Sequence, residues 1–393
     1  MSAALAKRGA MLLAAAAFGW LAAEAVLRLF YPLRNTLYQL DERVLHRLIP
    51  GARKLFVHHP LNGGARIMVR VNSSGFRGDE LRQDDKAARV VVYGDSCIMG
   101  EFSPLEETFA EQLEKALAGR SGQPVEVINA GVAAYGPDQE ILRMEDELPR
   151  LHPRLVVLAL FADNDLGDLL RNKLFRLGPD GTLQRNAFEL APALRAEFRR
   201  ARRPLLVKMI GKQLDRILNR TPAPEQTPEA YLRDREAEYR DFVMDRNNVV
   251  HQLLNDFYDA DVSLRPGSVS AEYKLALLEA LLKHAAEMTR QAGVPLAVLI
   301  IPSPIDVCND FEIQVDPARH PGYRRENISS GMAHAAEAAG LPYLNLFPIF
   351  RARQPDTLYF RHGDDHWNAA GQQLAAREMA DLVFAQRLWP EAP

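Results

Sequence analysis

The fold of this 393-residue chain is decided by the stretch Ala88-Arg89-Val90-Val91-Val92-Tyr93-Gly94-Asp95-Ser96. Residues 88–93 are largely β-branched or apolar, which predicts a buried strand, and Gly94 ends that strand with a tight turn. A helical pattern follows over residues 107–117, so the segment predicts a strand, a turn and a helix in that order. In parallel sheets, active sites lie at the carboxyl ends of the strands, so this turn is a candidate functional site.

The same unit recurs along the chain. Further apolar strands are predicted at residues 125–129, 155–160, 295–301 and 343–346, and further helices at residues 139–148, 271–292, 330–339 and 369–385. Strands without polar alternation are buried on both faces. Five such strands that alternate with helices predict an α/β fold, in which helices cover both faces of a parallel sheet.

The segments outside this pattern suggest a division of the chain. We predict an N-terminal anchor or signal segment at 1–33, a turn-rich wrap at 34–86, a core formed by 87–170 and 266–393, and a helical insert or cap at 171–265. The first half of the insert is basic: between residues 195 and 220 only Glu197 and Asp215 are acidic, against Arg195, Arg199, Arg200, Arg202, Arg203, Lys208, Lys212, Arg216 and Arg220. A solvated helix face, balanced by the acidic stretch 225–261, is the favoured interpretation. Attraction to lipid headgroups or to an acidic polymer is the alternative.

The N-terminus carries an export signal. Lys7 and Arg8 precede an uncharged run over residues 9–23, and a small-x-small pattern at 23–25 offers a cleavage site. If the helix continues to Phe30, it is long enough to span a bilayer, and this anchor is favoured over a cleaved signal. The basic residues hold the N-terminus inside, so the rest of the chain is predicted to lie outside the cytoplasm.

Glu24 and Arg28 interrupt the apolar extension of this segment. They stand four residues apart, so on a helix they face each other and can pair at the membrane surface.

Composition excludes several classes of protein. Apolar residues make up 47% of the chain and charged residues 25%, which is not the composition of a disordered protein. The formal charge of −3 argues against a nucleic-acid partner, because phosphate binding needs a net basic surface. Two cysteines, Cys97 and Cys308, exclude a disulfide scaffold and a Cys-rich zinc site. Two separate buried thiols are expected, with one disulfide as the alternative.

A nucleophile and a base can be assigned from the residue types. Ser96 follows Gly94 at the strand-to-helix turn, where its hydroxyl would be presented as a nucleophile. His366, just before the last helix, would take its proton, and Asp364 or Asp365 would orient the imidazole. The same three residues near the C-terminus could instead bind a metal, but no companion ligand set is evident, and we predict no metal and no cofactor.

Two further elements follow successive strands. Asn129-Ala130-Gly131 comes after the second strand and Asp163-Asn164-Asp165 after the third. Gly131 would let a backbone N–H approach a substrate oxygen closely, and the Asn164 amide would donate to the same oxygen. Either motif alone is common in turns, but their order at neighbouring strand ends favours a shared site.

Together these blocks resemble the SGNH (GDSL-type) hydrolase superfamily. Its Gly-Asp-Ser block matches residues 94–96, its second-block glycine Gly131, its third-block Asn-Asp residues 164–165, and its last-block histidine His366. The resemblance spans roughly residues 88 to 393 without the insert, and it implies a flavodoxin-like three-layer α/β/α sandwich with a helical insertion. It also implies an oxyanion hole formed by the Ser96 N–H, Gly131 and Asn164.

The chain departs from the superfamily pattern at two positions. Ala162 stands where the third block has glycine, and Gly363 stands where the last block has its aspartate. The orienting carboxylate is therefore assigned to Asp364, in an Asp-x-His spacing similar to that of polysaccharide acetylation proteins, with Asp365 as the alternative. The segment 72–78 bears a looser resemblance to membrane-anchored bacterial members.

The resemblance implies a serine esterase. We expect an acyl-enzyme on Ser96, an acyl ester as substrate (O-acetyl or short acyl, and an acylated glycan as one option), and no cofactor. The expected location is the bacterial inner membrane, with a single-pass helix and the catalytic part in the periplasm or outside the cell. An O-acetyltransferase acting on an envelope polysaccharide and an inactive binding protein are the alternatives.

Overall fold

The computed structural model describes residues 2–30, 36–83, 86–187, 189–190, 192–201, 203–218, 227–244 and 258–389. Within the basic half of the insert, Arg202 and Arg220 lie outside the described residues, as do the side chains of Arg200, Lys212 and Arg216. Parts of the acidic stretch, residues 225–226 and 245–257, also lie outside the described residues.

The strands are β1 (Tyr38–Asp41), β2 (Leu45–Leu48), β3 (Arg53–Val57), β4 (Arg66–Arg70), β5 (Ala88–Tyr93), β6 (Val125–Asn129), β7 (Leu155–Ala162), β8 (Phe175–Leu177), β9 (Leu183–Arg185), β10 (Leu296–Pro302) and β11 (Tyr343–Asn345). The helices are α1 (Ser2–Phe30), α2 (Ser96–Met99), α3 (Phe109–Ser121), α4 (Pro137–Leu151), α5 (Asp165–Asn172), α6 (Pro192–Ala201), α7 (Leu205–Leu218), α8 (Pro228–Met244), α9 (Ala260–Leu264), α10 (Val269–Gln291), α11 (Pro304–Val307), α12 (Asn327–Ala338), α13 (Leu346–Arg351) and α14 (Ala369–Ala385).

The predicted parallel sheet is confirmed. Its five strands run in the order β11-β10-β7-β5-β6, and every neighbouring pair is parallel. Read in chain order of the sheet strands, this is the flavodoxin-like order, which has a topological switch point between β5 and β7. Ser96 follows β5 directly, so the candidate nucleophile lies at that switch point.

The three layers follow from the alternation of side chains along the strands. Val91 and Tyr93 of β5 pack in one core cluster with residues of α4, α10 and α12. Val90 and Val92 pack in a second cluster with residues of α3 and α14. The sheet therefore has a hydrophobic core on each face, as its wholly apolar strands predict.

The insert differs from its prediction in one respect. It contains helices α6 to α9, but β8 and β9 also form a two-stranded antiparallel hairpin within it. Each of these strands has only three residues, too few to give an alternating pattern in the sequence. The turn signal was Asp180-Gly181, where Gly181 adopts a φ of +77°. The purely helical interpretation of the insert is wrong at this hairpin.

The N-terminal helix is apolar and long enough to cross a membrane over Leu5–Leu29. The predicted contact between Glu24 and Arg28 is present, with Arg28 Nε donating to Glu24 Oε1 at 2.8 Å. Cys97 and Cys308 are both buried and are not joined by a disulfide, which confirms the prediction of two separate thiols. Burial raises the pKa of the Cys308 thiol to about 12, which makes it a poor nucleophile.

Candidate active site

The turn that carries Ser96 depends on a glycine. A Cβ at Gly94 would lie 2.3 Å from Ile98 Cγ1 and 3.2 Å from Ala159 Cβ, so no larger residue fits between α2 and β7. Ser96 is the first residue of α2, a position where a helix offers no internal acceptor for the backbone N–H. The predicted use of glycine at this turn is therefore explained by close packing.

Asp95 caps the short helix that begins at Ser96. Its Oδ1 accepts a hydrogen bond from Cys97 N at 2.9 Å, and Ser96 Oγ lies 3.3 Å from its Oδ2. Burial raises the pKa of Asp95 to about 6, although the neighbouring His366 opposes that rise.

His366 and Asp364 form a hydrogen-bonded pair. His366 Nδ1 donates to Asp364 Oδ1 at 2.8 Å, and the same oxygen accepts from the His366 backbone N–H at 2.9 Å. Asp365 Oδ1 lies 3.2 Å from the same ring nitrogen, but its side chain is 28% exposed against 6% for Asp364. Burial alone would raise the pKa of Asp364, but hydrogen bonds and charge from His366 lower it below its ordinary value. The geometry favours Asp364 as the orienting carboxylate.

A buried hydrogen bond joins the last block to the nucleophile turn. Trp367, the neighbour of His366, donates from Nε1 to the backbone oxygen of Cys97, the neighbour of Ser96, at 2.9 Å. The Trp367 ring is buried and stacks on Phe109 of α3 with ring centroids 5.7 Å apart. The structure thus brings together two parts of the chain that are separated by the whole of the core and the insert.

His58 belongs to this site, and the sequence analysis did not identify it. Its Nε2 lies 2.6 Å from Asp364 Oδ2, and because an ionised carboxylate can only accept, His58 is the donor. The His58 ring is stacked on Phe102 at 4.7 Å and meets Phe360 edge-on at 4.2 Å. Asp364 is therefore held between two histidines, one on each carboxylate oxygen.

We expect His58→Phe to lower the turnover of an ester substrate by roughly 10-fold. This loss is smaller than that expected for the base itself, because His58 only positions the carboxylate that orients the base. Phenylalanine keeps the aromatic stack but cannot donate to Asp364. His58→Gln, which keeps a donor, should restore most of the rate. Steady-state kinetics of both variants provide the measurement, and a larger loss in His58→Gln than in His58→Phe would assign His58 to packing alone.

The two predicted oxyanion donors differ in their surroundings. The Gly131 N–H donates to Asn129 Oδ1 at 3.0 Å, so its proton is already engaged. A Cβ at Gly131 would lie 2.3 Å from Met99 N, which shows that this glycine permits β6 to end against α2. Asn164 is buried at the N-cap position of α5, at the carboxyl end of β7.

The loop that carries Asn164 is fixed from the insert. Asp259 Oδ2 accepts from Leu166 N at 3.0 Å and from Gly167 N at 3.1 Å, so it caps α5 from outside. Lys274 is fully buried and donates to Asp259 and Asp261, at 2.8 Å in each case. A buried cation with two carboxylate partners holds the end of the insert against the strand edge.

The segment 72–78 supports the nucleophile turn from the other side. The buried Arg77 guanidinium donates to the backbone oxygens of Met99, Gly100 and Ser103, the last at 2.6 Å. Burial lowers the pKa of Arg77 to about 10, so the group stays charged near neutral pH. Arg77 therefore anchors the chain immediately after α2.

The ligand atoms of Asp364, Asp365 and His366 lie within 4.8 Å of one another, a grouping that could hold a metal ion. However, His366 Nδ1 and Asp364 already share a short hydrogen bond in which the carboxylate oxygen is the acceptor. This arrangement fits a base and its orienting group. The absence of a metal stays a prediction.

Acidic side chains are buried behind the site. Burial and mutual repulsion raise the pKa of Glu140 and of Asp165 well above their ordinary values, and burial raises that of Asp138 to about 8. Neutral acids in this position would repel a developing oxyanion less than carboxylates would.

The raised pKa of Asp138 predicts a pH-dependent stability. Its value of about 8 exceeds the ordinary 3.8, so the folded chain binds this proton more tightly than the unfolded chain does. That contribution is fully present below about pH 4 and is lost as the pH rises towards about 8. The free energy of unfolding, measured with denaturant, should fall in the wild type between about pH 5 and about pH 8. In Asp138→Asn this fall should be smaller by more than ~1 kcal/mol. Parallel falls in the two proteins would contradict this.

Comparisons with known proteins agree with the resemblance to the SGNH hydrolase superfamily. Residues 257–393 match the family model described as "SGNH hydrolase-like domain, acetyltransferase AlgX". This range includes Asp364 and His366 but not Ser96. No curated protein matches the chain.

Several solved structures are similar to the chain. A lipase/acylhydrolase from Enterococcus faecalis is 12% identical, with 76% of this chain and 96% of that chain covered and a TM-score of 0.36. TesA is 14% identical, with 76% and 99% covered and a TM-score of 0.39. The esterase EstA from Pseudoalteromonas sp. is 14% identical, with 76% and 98% covered and a TM-score of 0.36. Residues 257–393 are thus similar to the SGNH hydrolase-like domain family, and the parallel sheet with its ordered blocks agrees with that similarity.

Proposed function

We propose that the protein is a serine enzyme that attacks acyl esters and forms an acyl-enzyme on Ser96. The observation that supports this proposal is the buried hydrogen bond from Trp367, the neighbour of His366, to the backbone oxygen of Cys97, the neighbour of Ser96. Hydrolase or acyltransferase chemistry is what the SGNH hydrolase-like domain supports.

The proposed reaction has two stages. Ser96 Oγ attacks the acyl carbon while His366 takes its proton, and the alcohol then leaves with that proton. Water, deprotonated by His366, attacks the acyl-enzyme, so that the carboxylic acid departs and the Ser96 hydroxyl is restored. Asp364 keeps the His366 proton on Nδ1, which leaves Nε2 to act as the base.

The oxyanion that forms in each stage needs preorganised donors. The Ser96 N–H at the start of α2 and the Asn164 amide are the proposed donors. The predicted contribution of Gly131 requires its N–H to leave, or to share, its bond to Asn129 Oδ1.

We expect Asn164→Ala to lower the turnover number by ~10²-fold or more, because one donor to the transition-state oxyanion is removed. The Michaelis constant should change much less, since the donor acts mainly on the transition state. Steady-state kinetics with a short acyl ester test this. Asn172→Ala is a matched control on the same helix, and a loss of similar size in turnover there would indicate a general structural effect.

Transfer to a sugar hydroxyl is the second candidate, and the acetyltransferase description of the matching family favours it. The chemistry differs only in whether water or an alcohol attacks the acyl-enzyme. Full-length protein incubated with an acetyl ester, with and without a glycan acceptor, separates the two by product analysis. Free acid that is unaffected by the acceptor supports hydrolysis, and acylated glycan formed at its expense supports transfer.

We also propose that α1 is a single membrane anchor and that the catalytic part lies outside the cytoplasm. The apolar span Leu5–Leu29 and the basic residues Lys7 and Arg8 support this orientation. Acyl esters, including acylated envelope glycans, are the proposed substrates, and the wrap contributes His58 to the site. Protease access in intact and permeabilised cells tests the orientation, and a product found only in the cytosol would contradict it.

A further inference from the structure

Helix α7 meets the anchor helix through a capped contact. Glu24 of α1 accepts hydrogen bonds from Leu205 N at Oε1 and from Leu206 N at Oε2, both at 2.9 Å. These are the first two N–H groups of α7, which have no acceptor within the helix. A carboxylate at a helix N-terminus also interacts favourably with the helix dipole. The first turn of α7 is thereby fixed at position 24 of α1.

Position 24 is the level at which the anchor should leave the hydrocarbon. The uncharged run over residues 9–23 ends there, and Glu24 is the first charged residue of the helix after Lys7 and Arg8. Trp20 lies one turn earlier and is exposed, as expected of an aromatic residue near the interface. The start of α7 is therefore at the height of the lipid headgroups.

The exposed side of α7 is apolar. Ile210 is 46% exposed and Leu214 is 50% exposed, so these two side chains, four residues apart on one side of the helix, are largely uncovered in the part of the chain that the structure describes. The positions 206, 210 and 214 are all apolar at a spacing of four, and so share one side of the helix. Lys208 lies two positions before Ile210 and therefore on the opposite side of the helix.

We infer that α7 lies in the membrane interface, with Ile210 and Leu214 inserted at the boundary of headgroups and acyl chains. The occupant of the face is a bilayer surface with anionic lipids. An apolar face opposed by a basic residue fits an interfacial helix. The capped contact with α1 supplies continuity with the anchor. The inference rests on the proposed anchor and not on the reaction at Ser96.

This geometry would hold the catalytic part close to the membrane through two connections rather than one. The insert between β7 and β10 contains α7, and its far end, Asp259, caps the helix that follows Asn164. The insert would therefore fix the orientation of the strand edge relative to the lipid surface, and so the direction from which an acyl ester can enter.

Spin-label accessibility of the full-length protein tests the inference. Single cysteines replace Ile210 or Leu214, with Leu21→Cys as the lipid reference and Val269→Cys as a matched exposed apolar position away from α1. The native Cys97 and Cys308 are buried and should not react. The labelled proteins are placed in vesicles of phosphatidylethanolamine and phosphatidylglycerol, and collisions with oxygen and with a water-soluble nickel complex are compared.

We expect labels at 210 and 214 to collide more with oxygen than with nickel, as at 21, and the label at 269 to show the reverse. If the labels at 210 and 214 collide more with nickel, like the label at 269, while the label at 21 collides more with oxygen, α7 is not in the interface and the inference fails. Dipolar broadening at 214 would show a second copy on this face and would also overturn it. If the label at 21 also collides more with nickel than with oxygen, the proposed membrane anchor is wrong and so is this inference. The reaction at Ser96 is tested separately, by ester turnover.

Discussion

Replacing Ser96 by alanine is expected to reduce ester turnover by ~10⁴-fold or more, because no acyl-enzyme can form without its hydroxyl. The loss should appear in the turnover number with little change in the folding of the chain. The Ser96 side chain is buried at the start of α2, and alanine is a smaller residue that suits a helix. Initial rates with a short acyl ester, together with a thermal melt of each protein, provide the measurement.

A fluorophosphonate probe makes the same test independent of the substrate. The wild type should be labelled at Ser96, and Ser96→Ala should not. Ser303→Ala is the matched control, because Ser303 is also a buried serine at the carboxyl end of a sheet strand, where its hydroxyl donates to Asp163. Labelling that survives in Ser96→Ala, or is lost only in Ser303→Ala, would refute the assignment of the nucleophile.

Much of the fold could be predicted because burial on both faces leaves a direct mark on the sequence. β7, Leu155–Ala162, has eight buried residues and no alternation, so its pattern alone identifies a central strand. The order of the blocks could also be predicted, since the ends of parallel strands meet at one edge. The spacing of Asp364 and His366 indicated their pairing because two residues apart is within reach of a short loop.

The contacts made by distant segments could not be predicted in the same way. His58 reaches Asp364 across 306 positions, and nothing in the sequence around His58 distinguishes it from a turn residue. The bond from Gly131 N–H to Asn129 Oδ1 depends on a side-chain rotamer that the Asn129-Ala130-Gly131 sequence does not specify. The pairing of Glu24 with Arg28 was visible at a spacing of four, but the capping of α7 by the same carboxylate was not.

The choice between the two neighbouring carboxylates gives the second large effect. We expect Asp364→Asn to reduce turnover by ~10³- to 10⁴-fold, and Asp365→Asn by less than ~10-fold. In Asp364→Asn the amide can present N–H groups to His366 Nδ1, which would shift the ring proton to Nε2. A ring protonated at Nε2 cannot accept the Ser96 proton, although every residue stays in place. Asp365 lies farther from His366 Nδ1 than Asp364 does, at 3.2 Å against 2.8 Å, and is more exposed, so it should fix the tautomer less strongly.

Kinetics and melts of the two variants together decide the assignment. A loss of turnover in Asp364→Asn with an unchanged melt supports the tautomer argument, since the shape of the side chain is preserved. A larger loss in Asp365→Asn would make Asp365 the orienting carboxylate and would leave Asp364 as a link between the two histidines. Equal and small losses would mean that either carboxylate can serve, because both lie within 3.2 Å of His366 Nδ1. In that case, the double variant should show the full loss, and wild-type turnover in the double variant would exclude any orienting role for this pair.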